Sequence, residues 1–426
     1  MRALPAVTDV CIVGGGPAGA ATAAFLAREG LGVTVLDRAR FPRPKACAEY
    51  LSPEASRLLE ELGVLAAVEG AGAAQLAGMI VRAPNGRQIR GEFAAAHGFR
   101  GFRDRGLAVP RTTLDPLLLG AARAAGADVR EGVRVTGLMR DAGGRVAGVE
   151  TTGGTVRASL VVGADGLRSQ VARRAGLART LPFFQRRVAL VAHYEGVSGI
   201  GAHGEMHVER DGYVGLADVG GGRTNVALVV PVARSAGLAG DATGFLARRL
   251  AAIPHLAPRF ATARRVTPVL ATGPFASAAR RGWAPGVALV GDAADFFDPF
   301  TGEGIYAALR GAELLAPFAA EAARARPGVA VRGDALAGYE RARRAAFAGK
   351  WRVERLIGTA VTFPALLDRA ASVLEERRDL ADLLVGVAGD FVPPREVLHP
   401  RFWSSFLLPR RATPPRPSAP RLATPA

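Results

Sequence analysis

Three clusters of glycine and aspartate, far apart in the chain, carry the chemistry this sequence offers. The first is Gly14-x-Gly16-Pro17-Ala18-Gly19, entered from a short apolar run at Asp9–Val13 and followed by an Ala-rich amphipathic stretch, Ala20 to Glu29. Gly14 allows a tight turn, Gly16 lets the backbone approach a pyrophosphate, and Gly19 permits close packing of helix on strand. The helix that follows aims unpaired N–H groups and the positive end of its dipole at the phosphates. Asp37, with Arg38 after it, stands at the tip of the next strand. A carboxylate placed there accepts both ribose hydroxyls of an adenosine. This arrangement predicts a dinucleotide site and leaves NAD and FAD as equal alternatives.

The second cluster, Val162-Gly163-Ala164-Asp165-Gly166, ends a strand and precedes Arg168-Ser169; Asp-Gly is an ordinary turn pair and says little alone. The third is Val290-Gly291-Asp292, followed by Asp298-Pro299-Phe300-Thr301-Gly302-Glu303-Gly304. A carboxylate at a strand tip holds a polyol hydroxyl, and Gly291 leaves room for a cofactor chain. A helix opening near Gly304 directs its positive end at the negative charge of a reduced flavin. NAD needs no third site, whereas a flavin with a ribitol arm does.

The elements that must position these clusters follow from the hydrophobic pattern. Residues 9–37 read strand, glycine turn, helix, strand: a βαβ unit with a parallel sheet. A hairpin is predicted around Asn85-Gly86, a helix over Leu114 to Ala125, and a meander from Val129 to Val162 with turns at Gly143-Gly144 and Gly153-Gly154. A second strand-rich block spans Val188 to Val230, and Gly286 to Asp292 is a buried strand leading to a loop and a helix. From Asp334 onward the pattern is helical, with Leu336, Tyr339, Phe347 and Trp351 on one face, read as core. Leu380 to Val387 is expected to cap a substrate cavity, and Leu356 to Leu367, apolar apart from two threonines, to pack on the cofactor-binding part or meet a membrane surface. Residues 409–426, rich in proline and arginine without acids, are expected to be disordered.

Composition narrows the class. The chain has 426 residues, 49% hydrophobic and 22% charged, which excludes a disordered or fibrous protein. No run of about 18 uncharged apolar residues predicts a membrane span. The formal charge of +17 comes almost wholly from arginine, since Lys45 and Lys350 are the only lysines. Scattered arginines and 6% aromatics argue against nucleic acid, which would require concentrated basic residues interleaved with stacking rings. A basic surface is the expected reading, with peripheral membrane contact as the minority one. Two cysteines, Cys11 and Cys47, make no disulfide framework and have no metal spacing. His203 and His207 lie on a strand, where residues four apart stand well separated, so no metal is expected. The chain enters its first strand almost at once, leaving no room for a secretory leader, and a cytoplasmic location is expected.

In their order, the three clusters resemble the FAD-dependent oxidoreductases of the para-hydroxybenzoate hydroxylase fold, closest to their geranylgeranyl-reductase-like branch, over about Val7 to Leu315. The resemblance implies an α/β protein: a Rossmann-type FAD-binding domain (1–75, 106–185 and 265–330), an inserted mixed β-sheet substrate domain (76–105 and 186–264) and a C-terminal helical region (331–408). It implies that Gly14, Gly16, Pro17, Ala18, Gly19, Asp37 and Arg38 hold the ADP half of FAD. Arg111, in Val109-Pro110-Arg111-Thr112-Thr113-Leu114-Asp115, matches an arginine lying along the cofactor. Asp165 belongs to a motif shared by cofactor and pyridine-nucleotide contacts. Gly291 and Asp292 would serve the ribitol, and Pro299, Gly302 and Gly304 the flavin ring. The segment Lys45-Ala46-Cys47-Ala48 is similar to the Lys-x-Cys-Gly of that branch, with Ala48 for the glycine, and makes Cys47 a candidate to line the active site. Where reductases of the branch often carry a Tyr-x-Trp-Phe-Pro-like stretch, this chain has Gly212-Tyr213-Val214-Gly215-Leu216-Ala217-Asp218. Trp283, Trp351 and Trp403 are isolated, unlike the Trp-x-Trp-x-Ile-Pro of the halogenases.

Three functions are compatible with these residues. The first is an NAD(P)H-dependent monooxygenase, in which the reduced flavin activates oxygen to hydroxylate or epoxidise a small apolar, aromatic or lipid-like substrate. The second is a flavoprotein that reduces carbon–carbon double bonds, and the third a non-catalytic FAD-stabilised binding protein. In the first two the cofactor carries the hard chemistry, so the absence of a visible acid–base pair is no argument against an enzyme.

Overall fold

The computed structural model describes residues 3–94, 98–181 and 186–404, so the tail at 409–426 lies outside the described residues. In chain order, β1 (Val7–Val13), α1 (Pro17–Arg28) and β2 (Val33–Asp37) form the first βαβ unit. β3 (Gly78–Arg82) and β4 (Gln88–Glu92) form the hairpin, with Gly86 in the left-handed conformation its turn needs. Then come α2 (Arg111–Ala124), β5 (Asp128–Glu131), and the meander β6 (Val135–Arg140), β7 (Val146–Thr151) and β8 (Gly154–Gly163), followed by the short α3 (Gln170–Arg174). β9 (Arg187–Glu195), β10 (His203–Glu209), β11 (Gly212–Asp218), β12 (Arg223–Pro231) and β13 (Leu270–Thr272) build a second sheet. β14 (Val287–Leu289) returns to the first sheet, and the chain continues through α4 (Gly304–Ala325), α5 (Ala337–Thr362), α6 (Pro364–Glu376) and α7 (Arg378–Ala388).

The first sheet runs β14-β8-β1-β2-β5, all neighbours parallel, with β7 and β6 added antiparallel beyond β8. Its central strands are buried on both faces and read as continuous apolar runs, as parallel strands must when helices cover them. α1 lies between this sheet and α4, and alanines on both helices (Ala20, Ala23 and Ala24 against Ala308, Ala312 and Ala316) share one core. Such small residues let the helix axes approach closely, which is what holds the start of α1 near the start of α4.

The second sheet is mixed, in the order β9-β12-β11-β10-β3-β4, with β10 and β3 parallel and β13 antiparallel on β9. It takes in residues 270–272, beyond the point where the sequence places its end. The C-terminal helices pack on this sheet: Ile89 joins Val361, Leu367, Leu374, Leu380 and Ala381 in one core. Thus the segment around Leu356–Leu367, expected on the cofactor-binding part, packs on the second sheet. α7 sits against β4 and contributes no residue to the large cavity that the sequence motifs border; of the C-terminal helices after α4, α5 is the one that faces it. Its stripe of Tyr339, Phe347 and Trp351, read from spacing as core, also borders that space. Periodicity marks a face that avoids water but cannot say whether protein or a ligand covers it. No single described helix is long and apolar enough to cross a membrane.

Candidate functional site

Because β1, β8 and β14 are parallel neighbours, the three clusters that follow them lie side by side at the carboxyl ends of the strands. The glycines are required for this meeting. Gly14 has φ +106, and a Cβ there would stand 2.4 Å from the Ala164 carbonyl oxygen. Gly291, at φ +63, would meet the Ala18 methyl at 2.9 Å, and a Cβ on Gly19 would stand 1.8 Å from the Gly14 oxygen. First and second clusters touch at Gly14, first and third at Gly291.

The positive field is concentrated over Gly16. α1 begins at Pro17 with no side-chain cap, leaving its first N–H groups without a side-chain acceptor. The space where a Gly16 Cβ would project is bordered by the guanidinium nitrogens of Arg43 at 3.5 Å and Arg111 at 3.7 Å. Arg111 is buried and donates to both oxygens of Asp115, at 2.7 and 2.9 Å, while Arg43 reaches Asp115 at 3.6 Å. Burial works against the Arg111 charge, but Asp115 and then Cys47 hold its pKa above the usual value. Burial lowers Arg43 and Lys45, with Asp115 and Asp292 respectively opposing it. Three cations crowd a place where a diphosphate would relieve their repulsion and desolvation.

Asp37 is buried at the tip of β2, where its carboxylate accepts from Gly15 N and Ala39 N, both at 2.7 Å, and so pins the glycine turn. Arg38, exposed, borders the same cavity. Asp165 turns its carboxylate away from the motif to the start of α3: it accepts from Ser169 Oγ at 2.5 Å, Gln170 N at 2.6 Å and Val171 N at 3.2 Å. Burial raises its pKa against those bonds. Its side chain therefore shapes the loop after β8. Asp292 stands near the Lys45 ammonium. Pro299 opens a short turn in which Asp298 accepts from Phe300 N at 3.1 Å, and Gly302 closes it at φ +71 against the Tyr50 ring. Gly304 then starts α4, with Glu303 as its N-cap residue. Apart from Gly19, whose place is in helix packing, every one of these sequence candidates borders a single cavity of about 1170 Å³.

The cavity continues between the second sheet and α5. There Phe275, Phe296, Phe297, Phe300, Phe347 and Trp351 supply an aromatic wall. The segment 212–218 contributes only Tyr213 to it, whose hydroxyl donates to Asp298 at 2.6 Å and whose ring meets Phe300 edge-on at 5.1 Å. The wall comes from separate segments, so no local motif reveals it. Cys47 borders the cavity, within hydrogen-bond reach of Arg111, and its Sγ accepts from Glu49 N at 3.3 Å. Cys11, by contrast, is wholly buried and pushed up to about 12, leaving an inert thiol.

Sequence reasoning missed Glu49. It has a left-handed φ of +62 and is buried, and its carboxylate takes Arg111 N at 2.8 Å, His193 Nε2 at 2.6 Å and Asn225 Nδ2 at 2.9 Å. Asn225 also donates to the Cys47 carbonyl at 2.9 Å. These bonds tie the loop bearing Lys45 and Cys47 to β9 and β12. One sequence signal was available: the only two lysines both border the cavity, in a chain that uses arginine everywhere else. His203 pairs with Glu92 at 3.0 Å; His207 pairs with Glu205 at 2.8 Å and meets His255 at 3.1 Å. Among the described residues no group of three or more His, Cys, Asp or Glu is placed to hold a metal.

Comparison with known proteins adds to this geometry. A family model described as an FAD binding domain matches residues 7–348. Digeranylgeranylglycerophospholipid reductase 2 of Methanopyrus kandleri is 32% identical over 325 residues, 74% of this chain and 77% of that protein. The 6-methylpretetramide 4-monooxygenase of Streptomyces rimosus is 36% identical over 175 residues, 40% of this chain and 41% of that protein. Among solved structures, a myxobacterial chondrochloren halogenase described as a variant of FAD-dependent halogenases superposes with a TM-score of 0.74 at 26% identity, over 82% of each chain.

Proposed function

The chain belongs to the FAD-binding-domain family, as an FAD-dependent oxidoreductase of the para-hydroxybenzoate hydroxylase fold with geranylgeranyl-reductase-like relatives, and from that premise we propose that it reduces carbon–carbon double bonds in an apolar, isoprenoid-like substrate. The observation that carries this reading is the aromatic wall, continuous with the cofactor cradle and free of any need for the missing motif at 212–218. The motifs alone place oxygenation first. Two facts move reduction ahead: likeness to the Methanopyrus reductase runs through three quarters of the chain, whereas likeness to the Streptomyces monooxygenase covers 40%.

The residues fit FAD. The start of α1, with Arg43 and Arg111 over Gly16, would take the diphosphate, Asp37 the ribose, Asp292 the ribitol, and the turn from Pro299 to Gly304 the ring. Bound there, FAD supplies the two-electron chemistry, with NAD(P)H as the proposed electron donor. The chain's own part is to hold the cofactor, to exclude water with its aromatic wall, and to keep the 45–49 loop in place through Glu49. The test is an anaerobic incubation of the purified yellow protein with reductant and a geranylgeranyl lipid, read by mass spectrometry. Gain of two hydrogens per double bond is expected. Substrate-dependent oxygen uptake with oxygen in the product would overturn reduction in favour of the monooxygenase reading.

A further inference from the structure

Where α5 borders the cavity, the fold buries more carboxyl groups than cations to answer them. Lys350 and Glu354, one helical turn apart, share a face of α5 and border the cavity together with Glu303. Glu303 Oε2 lies 2.8 Å from Lys350 Nζ, an ion pair without full hydrogen-bond alignment, and Glu303 also bonds Thr301 and Glu354. Lys350 contacts Asp390 as well, and stands 4.6 Å from the centre of the Tyr306 ring. The other charges facing this group are already matched: Arg187 pairs with Asp298, and Arg343 with Asp295, both at 2.6 Å. Among the described residues the buried Tyr50 hydroxyl has no hydrogen-bond partner, and the Tyr213 hydroxyl is committed to Asp298.

One ammonium therefore answers for three carboxyls: Glu303, Glu354 and Asp390. Two carboxyls in contact inside a protein do not both ionise at neutral pH. Burial raises Glu303 despite Lys350, and burial together with the Glu303 charge raises Glu354 well above the usual carboxylate range. A cavity-facing acid that keeps its proton is what the addition of hydrogen across a double bond requires, because the cofactor delivers only one of the two hydrogens.

We propose that Glu354 is the catalytic acid of this site, giving its proton to one alkene carbon while the other receives hydride, with Glu303 and Lys350 as positioning residues. This rests on the reductive reading above. The hydride, with its electron pair, comes from the cofactor reduced by the nicotinamide. The π pair of the substrate forms the second C–H bond with the Glu354 proton. The cofactor ends oxidised by two electrons, and Glu354 ends as a carboxylate next to Lys350 until solvent returns the proton.

The test uses the full-length, flavin-loaded protein. In E354Q, saturation of a geranylgeranyl lipid falls by about 10²–10⁴-fold, the usual contribution of a general acid. Anaerobic flavin reduction by dithionite stays at the wild-type rate, and E354D recovers part of the loss. Independently of turnover, infrared spectra of protein labelled with ¹³C-glutamate show a protonated carboxyl at neutral pH, with or without flavin, that E354Q removes. If E354Q does not retain flavin, E303Q decides: relieved of the neighbouring charge, Glu354 ionises earlier, and the alkaline limb of the pH–rate profile moves to lower pH. An E354Q rate within twofold of wild type, or no protonated glutamate at neutral pH, overturns the proposal. A wild type inert toward prenyl lipids, with the infrared band intact, overturns the reductive reading and the donor role with it, while leaving the buried proton in place.

Discussion

Glu49 joins three parts of the molecule through one carboxylate in a backbone conformation that costs energy outside glycine. Its replacement by alanine keeps the unfavourable backbone angle and leaves His193, Asn225 and the Arg111 amide without their partner. The loop carrying Cys47 then opens more often. A loss of 1.4 kcal/mol in loop stability makes the Cys47 thiol react about tenfold faster with a disulfide reagent, and Cys11, fully buried, serves as the unreactive internal control. Wild-type labelling rates in E49A would show that the carboxylate is not what holds the loop. A second cluster sets the response to acid. Burial pushes His255 down to about 4, with Arg82, His207 and Arg259 adding to the effect, so below its ordinary 6.5 the unfolded chain gains a proton that the folded one refuses. For Glu205 burial acts upward, yet Arg259 and His207 bring it down to about 2. Both shifts have the same sign: stability is lost as pH falls, from 6.5 toward 4 through His255 and from 4.5 toward 2 through Glu205. With partial exposure discounted, Glu205 accounts for about 1–2 kcal/mol, and melting curves of E205Q between pH 5 and 3 should be flatter than those of wild type.

Among elements, the contacts between motifs are the most sensitive places. Gly14→Ala sets a methyl 2.4 Å from a backbone carbonyl at a positive φ, so strand, turn and neighbouring loop must separate. The expected product is a folded but colourless protein, checked by the visible spectrum after purification in the presence of FAD. At the other side of the molecule, a Cβ on Gly91 in β4 would stand 2.6 Å from Val385 and 2.7 Å from the Ala381 carbonyl, where α7 crosses the strand. Gly91→Ala should cost about 1–3 kcal/mol in thermal unfolding through overpacking, with flavin retained, because neither β4 nor α7 contributes a residue to the cavity. These two glycines also mark what sequence could reveal. Gly14, Asp37, Gly291 and Gly302 were legible because the geometry each serves is set within a few residues of itself, by a strand end and the turn that must follow. Gly91, the dispersed phenylalanines, and the groups around Glu49 and Glu354 were not, since each owes its place to a partner in a distant segment. Nothing in their own segment singles out Lys350 and Glu354; the arrival of Glu303 and Asp390 from other elements makes them a buried acid group.

For the whole molecule, the consequence is that the two sheets share one cavity, bordered by residues from Val13 to Glu354. Each contributor is anchored in its own core: Gly14 and Gly16 near the α1–α4 core, Phe300 in the core of the second sheet and C-terminal helices. A ligand that fills the space touches all of them together and leaves no single element free to open alone. Binding to the folded form alone stabilises by RT ln(1 + [L]/Kd), about 2.7 kcal/mol at a hundredfold excess over Kd. Stripped of flavin and then given FAD at that excess, the protein should melt at a higher temperature in one transition, and hydrogen exchange should slow in both the 11–19 and the 290–304 segments. Riboflavin lacks the diphosphate and cannot reach Arg43 and Arg111, so it should protect 290–304 far more than 11–19. If FAD slowed exchange only around Gly14–Gly19, the third cluster would not belong to the same binding site, and the proposed placement of the ring at the turn from Pro299 to Gly304 would fall with it.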